Sequence, residues 1–417
     1  MKNILTFLIL FLVFISNLFS QQEAKIFTEY KNNPKASILP DFSYVGYKNG
    51  EKMMNYRASG VPTYNVKDFG AVADDDTSDK DAIISAIAAA NKTGGGIIYF
   101  PKGRFIIQDI YDDLNTIWVS TSNVVFKGSG SGKGGTELFM KVPLQPKDTT
   151  KMWTTPPMFV FGSKSGEKPI GSITADAQVG DFDIQLDQTT GLTKGDWVIL
   201  TMRSKDANAI KLDLGDYEVN PEWKALYNGG LDLSVVHQIS KIKDKTITLS
   251  QPLAYPISAN LGWKVSKYNQ IEEIGIEDIA FIGNWKKPFV HHRSWLDDSG
   301  YTMINMRRIT NSWIVNCRFT DVSVGAVINN GANITVSNCE VTGNGGHEAI
   351  TNAGGTNVLL ANITDHASQW HSVGSSKTAM NTVLYKVTYP STTCFESHAS
   401  QPRNTLLDNV TGGLMIN

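Results

Sequence analysis

Over the last hundred residues, short apolar runs alternate with asparagine and glycine at a near-constant spacing. An apolar residue followed by threonine recurs as Phe319-Thr320, Val341-Thr342, Ile363-Thr364, Val387-Thr388 and Val410-Thr411, in steps of 22, 22, 24 and 23. Each pair closes a similar phrase: NSWIVNCRFT, NITVSNCEVT, NVLLANIT, NTVLYKVT, NTLLDNVT. A period of this size, made of β-branched runs broken by Asn and Gly, predicts a solenoid whose turns are strands. One coil rises about 4.8 Å, the spacing of paired strands, so residues one period apart sit side by side on one face. Chemistry from different coils converges along that face.

Upstream the pattern changes twice. Ser78 to Ala90 has helical character, with Ile83, Ile84, Ile87 and an alanine face, and Ser78 or Asp79 suits its cap. Such a helix is a lid for the exposed end coil. Residues 121–140 read as an early coil. From 170 to 268 the coil rhythm gives way to period-two alternation, as in Phe182 to Leu186 and Trp197 to Leu200, which predicts a small β-insertion. Coils resume at Ile274 to Phe281. Residues 1–20 carry Lys2, then a nearly unbroken apolar run from Ile4 to Phe19, and read as a signal peptide cleaved near Ser20. The organisation is therefore a leader (1–20), a polar linker or wrapping arm (21–60), a cap with the first coils (61–169), the insertion (170–268), and later coils with the candidate site (269–417).

The stretch from Tyr64 through Asp68-Phe69-Gly70-Ala71, the acidic loop Asp74 to Asp76, the helix, Gly94-Gly95-Gly96 and Phe100-Pro101-Lys102-Gly103 resembles the N-terminal signature of the pectate-lyase-like right-handed β-helix superfamily. That resemblance covers about 45 residues closely. It implies an all-β, right-handed parallel β-helix and a carbohydrate ligand, and it leaves the reaction open. The leader and composition also resemble secreted uronan-degrading lyases or dehydratases of marine Bacteroidetes, ulvan-type among them.

A formal charge of -2 over 417 residues gives no reason to expect nucleic acid, so any anion must meet a local basic patch. No second long apolar segment follows the leader, so the mature chain is expected secreted or periplasmic, without a membrane span, and as a monomer. Cys317, Cys339 and Cys394 are too few for an oxidised scaffold; Cys317 and Cys339 read as small buried side chains at one place in successive coils. The run Gly128 to Gly134 lacks the Ser or Thr of a phosphate loop and reads as a turn. The sequons at Asn333, Asn362 and Asn409 arise from the coil rhythm and read as bends.

Six of the seven histidines fall between 291 and 398: His291, His292, His347, His366, His371 and His398. His237, alone in the insertion, reads as structural. Counting back from the asparagines lays HEAIT (347–351) over GAVIN (325–329), and WHSVG (370–374) over HEAIT. Glu348 and His371 are 23 apart, so an acid–histidine contact between coils is expected. Candidate catalytic residues are His347, His371, Glu348, His292 and His398. Candidate substrate-binding residues are His291, Arg293, Trp295, Arg307, Arg308, Trp370 and Glu396: aromatics to stack on sugar faces, cations to meet carboxylate or sulfate. The interrupting loop Lys286 to Trp295 is basic and aromatic. An outward polar ladder is the plain alternative, and the pattern leaves the face parity open. No cofactor is assigned. Adjacent histidines alternate on a strand and no HExxH accompanies them, so zinc is not expected; calcium stays open at Asp74–Asp76 or Asp297-Asp298, without full ligand spacing.

A histidine-rich site suits β-elimination on a uronate, as a lyase or a terminal-uronate dehydratase. A base removes the C5 proton, an acid protonates the group leaving C4, and cations neutralise the enolate-like intermediate. Glycoside hydrolysis needs two carboxyl groups; the polygalacturonase pattern NTD, DD, GHG, RIK is absent apart from Gly346-His347. A non-catalytic glycan-binding helix would need no histidine column.

Overall fold

The repeated asparagines are where the chain bends. Asn311, Asn333, Asn357, Asn381 and Asn404 hold φ between 43 and 56° at one corner, and Asn316, Asn338, Asn362 and Asn409 hold φ between 51 and 55° at the next. Asn enters this left-handed region at lower cost than most residues. Four residues fit between the two bends, long enough for one short strand. The amides also stack. Asn404 Nδ2 donates to Asn381 Oδ1 at 3.2 Å, Asn381 to Asn357 at 3.0 Å, and Asn333 to Asn49 at 2.7 Å. The sequence phrase is thus a bend–strand–bend unit, and all three sequon asparagines are bend residues.

The computed structural model describes residues 23–33, 39–50, 60–215 and 217–413. The expected leader lies outside them. The chain divides into residues 1–41, which contain a helix at Lys25–Asn32, and Phe42–Asn417. The larger unit is a right-handed parallel β-helix. One sheet of 14 strands is built from two strips, joined where Ala332–Thr342 and Thr356–Asp365 run through a bend. A sheet of seven parallel strands forms another side: Ile117–Val119, Phe159–Gly162, Thr302–Arg307, Val324–Asn329, Glu348–Ala353, Gly374–Lys377 and Ser397–Ser400. Between the sides runs an apolar core that includes Phe100, Phe126, Phe159, Phe281 and Phe319, all fully buried.

The coil register differs in one place from that expected. Phe319 pairs with Val341 and Thr320 with Thr342, a step of 22, but Thr364 pairs with Glu340 and Cys339 with Ile363, a step of 24. The threonines therefore form two stacks, Thr320–Thr342 and Thr364–Thr388–Thr411, offset by two residues. The bends decide this. Asn333 to Asn357 is also 24, and the phrase after Asn357 is two residues shorter. Likewise Ala326 faces Ile350, so HEAIT lies over GAVIN two residues off the expected pairing, whereas Glu348 pairs with His371 as expected. Cys317 and Cys339 are buried free thiols.

The cap helix spans Lys80–Lys92 and buries Ile83, Ala86, Ile87 and Ala90, while Ile84 faces out. Asp79 precedes it, but its carboxylate does not cap the helix. It accepts from Val72 N at 2.8 Å and Ile106 N at 2.9 Å, tying the lid to the loop and strand beneath. The insertion is a six-stranded antiparallel sheet running from Lys168–Ser172 to Lys264–Lys267, with its own core around Ile184, Leu200, Leu233 and Trp263. It leans on the corner of bends: Arg403 pairs with Asp213 at 2.8 Å, and Thr356 Oγ1 accepts from Val236 N. His237 is buried within it, and burial pushes its pKa down to about 4. Residues 42–50 wrap the outside of the coils. Tyr47 N donates to Thr335 Oγ1, its ring meets Trp313 edge-on at 5.0 Å, and Gly46 N donates to Asn357 O.

Candidate active site

The site lies at the leading edge of the seven-stranded sheet, where successive coils enter their strands. Main-chain pairing sets its spacing: His371 N donates to His347 O at 2.7 Å, and Trp370 N to Gly346 O. His347 and His371 thus occupy neighbouring coils, with ring centroids 5.0 Å apart. His398, on the next coil, brings its ring to 4.3 Å from His371.

The loop 286–294 folds over these rings because carboxylates on the helix that follows it pin it. Trp285, fully buried, donates from Nε1 to Gly345 O. A short helix, Trp295–Ser299, begins at the Ser294 cap and buries Asp297 and Asp298. Asp297 accepts from Arg293 Nη2 at 2.5 Å and Nε at 3.1 Å. Asp298 accepts from His292 N at 3.0 Å and pairs with His292 Nδ1 at 2.7 Å. His291 then stacks on His292 at 3.6 Å and lies 5.4 Å from His347 and 5.2 Å from His371. Phe289 stacks on His347, and Trp370 on His291.

Hydrogen bonds fix the tautomers. A carbonyl can only accept, so the contact of 2.9 Å between His347 Nδ1 and Asp298 O places the proton on Nδ1 and leaves Nε2 as a lone pair. Glu396 accepts from His371 Nδ1 through Oε2 at 2.6 Å and from His398 Nδ1 through Oε1 at 2.7 Å. Burial pushes the pKa of His347 down to about 4, so the ring is neutral near pH 7. His371 and His291 are lowered by the same cause. Burial pushes the Glu396 carboxyl up, but hydrogen bonds from His398 and His371 outweigh that and hold it below its usual value. Glu348 is raised by burial, and its carboxyl forms no hydrogen bond or ion pair among the described residues. The Nε2 atoms of His371 and His291 are buried without a partner.

His347, His371, Glu348, His292, His398, His291, Trp370 and Glu396 are brought together. The carboxylate that supports histidine is Glu396, rather than the expected Glu348: it sits two residues before His398 and reaches both His398 and His371 on the preceding coil. The other expected binding residues lie elsewhere. Arg293 is held by Asp297. Arg308 pairs with Glu167 at 2.6 Å and lies over Tyr268, at the base of the insertion. Arg307 ends the strand Thr302–Arg307, five residues or roughly 17 Å beyond the edge that carries the site. Trp295 is half-buried on the helix that lies against residues 152–154. His366 is exposed and outside the cluster. The sequence reading missed Asp298 as a histidine partner; its signal was the carboxylate pair six residues after a histidine pair.

Among the described residues two sets could hold a metal ion: His291, His347 and His371, and His371, Glu396 and His398, each with ligand atoms within 4.8 Å of one another. Such nitrogen-rich sets suit transition metals and not calcium, which takes six to eight oxygens. Of the acidic groups weighed for calcium, Asp297 and Asp298 are engaged by Arg293 and His292, and Asp74 and Asp75 by Arg104 N and Thr77.

Residues 63–209 match a family model described as rhamnogalacturonase A/epimerase, pectate lyase-like. Residues 368–417, with Trp370, His371, Glu396 and His398, match one described as a domain of unknown function, DUF4955. Alginate lyase 7 of Azotobacter vinelandii is 44% identical over 70 residues, 17% of this chain and 8% of that protein. The mannuronan C5-epimerase AlgE6 of the same organism is 39% identical over 70 residues, with the same shares. The matched stretch spans under a tenth of either relative. Among solved structures, the tailspike protein gp49 from Pseudomonas phage LKA1 is 12% identical, with 83% of this chain and 59% of that chain covered and a TM-score of 0.49. Among the described residues no helix is long and apolar enough to cross a membrane.

Proposed function

We propose that the protein acts on uronate-containing anionic poly- or oligosaccharides by β-elimination between C4 and C5, as a lyase or as a dehydratase at a chain end. The observation that carries this reading is the row of neighbouring imidazoles whose Nδ1 atoms are tied to Asp298 and Glu396, leaving their Nε2 atoms as lone pairs. His347, neutral and fixed in tautomer, takes the C5 proton. The C5–H electrons form the C4–C5 double bond, and the oxygen on C4 leaves with a proton from Glu348, whose raised pKa favours the acid form. His371 and His398 line the same pocket as Glu348 and Glu396 and help to shape the site around the reacting carbons. The names of the two relatives, an alginate lyase and a mannuronan C5-epimerase, support the substrate class. The pectate lyase-like match lies outside the histidines, so the reaction itself rests on geometry.

Hydrolysis is the second reading, favoured by one observation: Glu348 is raised and Glu396 lowered, the divergence that a general acid and a base or nucleophile would show. Against it, both Glu396 oxygens are engaged by histidines. Incubation with a panel of uronate oligosaccharides separates the two. Elimination yields a conjugated C4–C5 unsaturated uronate seen by ultraviolet absorbance; hydrolysis yields only saturated reducing ends. Saturated products from every uronate that is turned over would overturn the elimination reading.

A further inference from the structure

Beside the histidines an open cleft of about 380 Å³ is walled by Lys286, Lys287, Phe289, Asn344, Ser368 and Trp370. Its floor is rigid. A Cβ on Gly345 would lie 2.7 Å from Ala367 O and 2.8 Å from Ser368 O, so only glycine fits there. Asn344 donates from Nδ2 to Trp285 O and Asp321 Oδ1, which fixes one wall. Trp370 is 56% exposed although one side of its indole rests on His291 at 5.2 Å and lies 6.1 Å from Phe289. A large aromatic held on one side and open on the other is a stacking platform for the C–H face of a sugar. Lys286 and Lys287 are exposed at the rim, and among the described residues neither meets a carboxylate. By contrast, Lys80, Lys127, Lys141 and Lys267 are each paired within 2.8 Å.

We propose that this cleft is a second sugar subsite, which takes the unit adjoining the reacting uronate when that unit carries an oxyanion, a sulfate ester or a carboxylate. The inference rests on the uronate reading above and adds the neighbouring unit to it. Adjacency follows from the shared wall. Phe289 stacks on His347 at 5.8 Å and Trp370 on His291, so a ring on the open face of Trp370 is separated from the imidazoles by one layer of side chains. Lysine ammonium groups act as point charges without the geometric demand of a guanidinium, so either oxyanion is accommodated. Both are exposed, so their effect weakens with salt.

The test is equilibrium binding, read by tryptophan fluorescence and calorimetry, to the full chain carrying His347→Ala, which does not depend on turnover. The probes are three oligosaccharides that share a terminal uronate and differ in the next unit: sulfated, carboxylated or neutral. An anionic neighbour should tighten binding about 3–30-fold at low salt, and Lys286→Gln with Lys287→Gln should erase that gain while leaving the neutral probe unchanged. Trp370→Leu should weaken all three. Preference for one anionic probe identifies the oxyanion. Equal affinity for all three probes, or a preference that survives the double lysine change, overturns the subsite. The same comparison on the active chain should appear in KM and not in kcat. Absence of unsaturated product would instead overturn the elimination reading, whatever the binding shows.

Discussion

Glu396 grips two imidazoles with its two oxygens, and Asp298 serves two more, one through its carboxylate and one through its carbonyl. The histidine column was legible because the period placed Glu348 against His371. The partners of the rings were not: Glu396 meets His371 at a separation of 25 and His398 at a separation of 2, neither being a coil step, and Asp298 lies on a helix outside the coils. For the proposed base, His347→Ala should cost about 10²–10⁴-fold in kcat/KM without loss of fold by circular dichroism. The sign of its pH dependence follows from burial: a base with its pKa lowered to about 4 stays active below the ordinary histidine range. The acid limb of kcat/KM should therefore fall near pH 4 and not near about 6.5. A limb at the ordinary value would remove His347 from the role of base. Glu396→Gln should slow the reaction without changing the product, because one amide cannot accept from both rings. Arg293→Ala should act differently from a binding residue. It strips Asp297 of its partner, so the loss should be equal on carboxylated and carboxyl-reduced substrates and accompanied by a lower melting temperature. A chelator should leave activity unchanged; full loss, restored by a transition metal, would turn the three-histidine set into a metal centre.

At the scale of elements, the phrase between asparagines fixed where strands begin, and the φ values give the reason. The closing threonines are offset by two residues between the second and third repeats, at Thr342 and Thr364, because a strand end, unlike a left-handed bend, can slide. The cap helix begins at Lys80, two residues after the expected Ser78, for a related reason: Ser78 and Asp79 have the chemistry of caps, but the chain uses Asp79 to join three separate segments. Asp79→Asn keeps the size and loses an acceptor, leaving a buried N–H of Val72 or Ile106 unpaired. The expected cost is about 1–3 kcal/mol, read from denaturant midpoints, whereas an ordinary cap position would tolerate Asn with little change.

For the whole molecule, two cores of different make share one chain. The coils are stabilised by neighbour-on-neighbour pairing, the insertion by its own closed sheet. The insertion was legible as a change from coil rhythm to period two; its docking against the Asn corner was not, since it depends on single contacts such as Arg403 with Asp213. His237 gives the insertion an acid liability. Its folded pKa of about 4 lies below the unfolded value, so the unfolded state binds the proton first. Stability is full above about pH 6.5, falls as pH drops to about 4, and loses on the order of 3 kcal/mol in all. His237→Leu should flatten melting temperature against pH across that window; an unchanged slope would place the acid sensitivity elsewhere. The wrapping arm has a different consequence, in time. Tyr47 and Asn49 are made early, yet their partners Thr335 and Asn333 lie 288 and 284 residues later. At about 5–20 residues per second, the ribosome delivers those partners roughly 15–60 s after the arm. Throughout that interval each finished coil can pair with the one before it, whereas the arm has only part of its docking surface, Val125 first and Glu273 later. It is synthesised among the first segments and cannot complete its contacts until Thr335 has emerged.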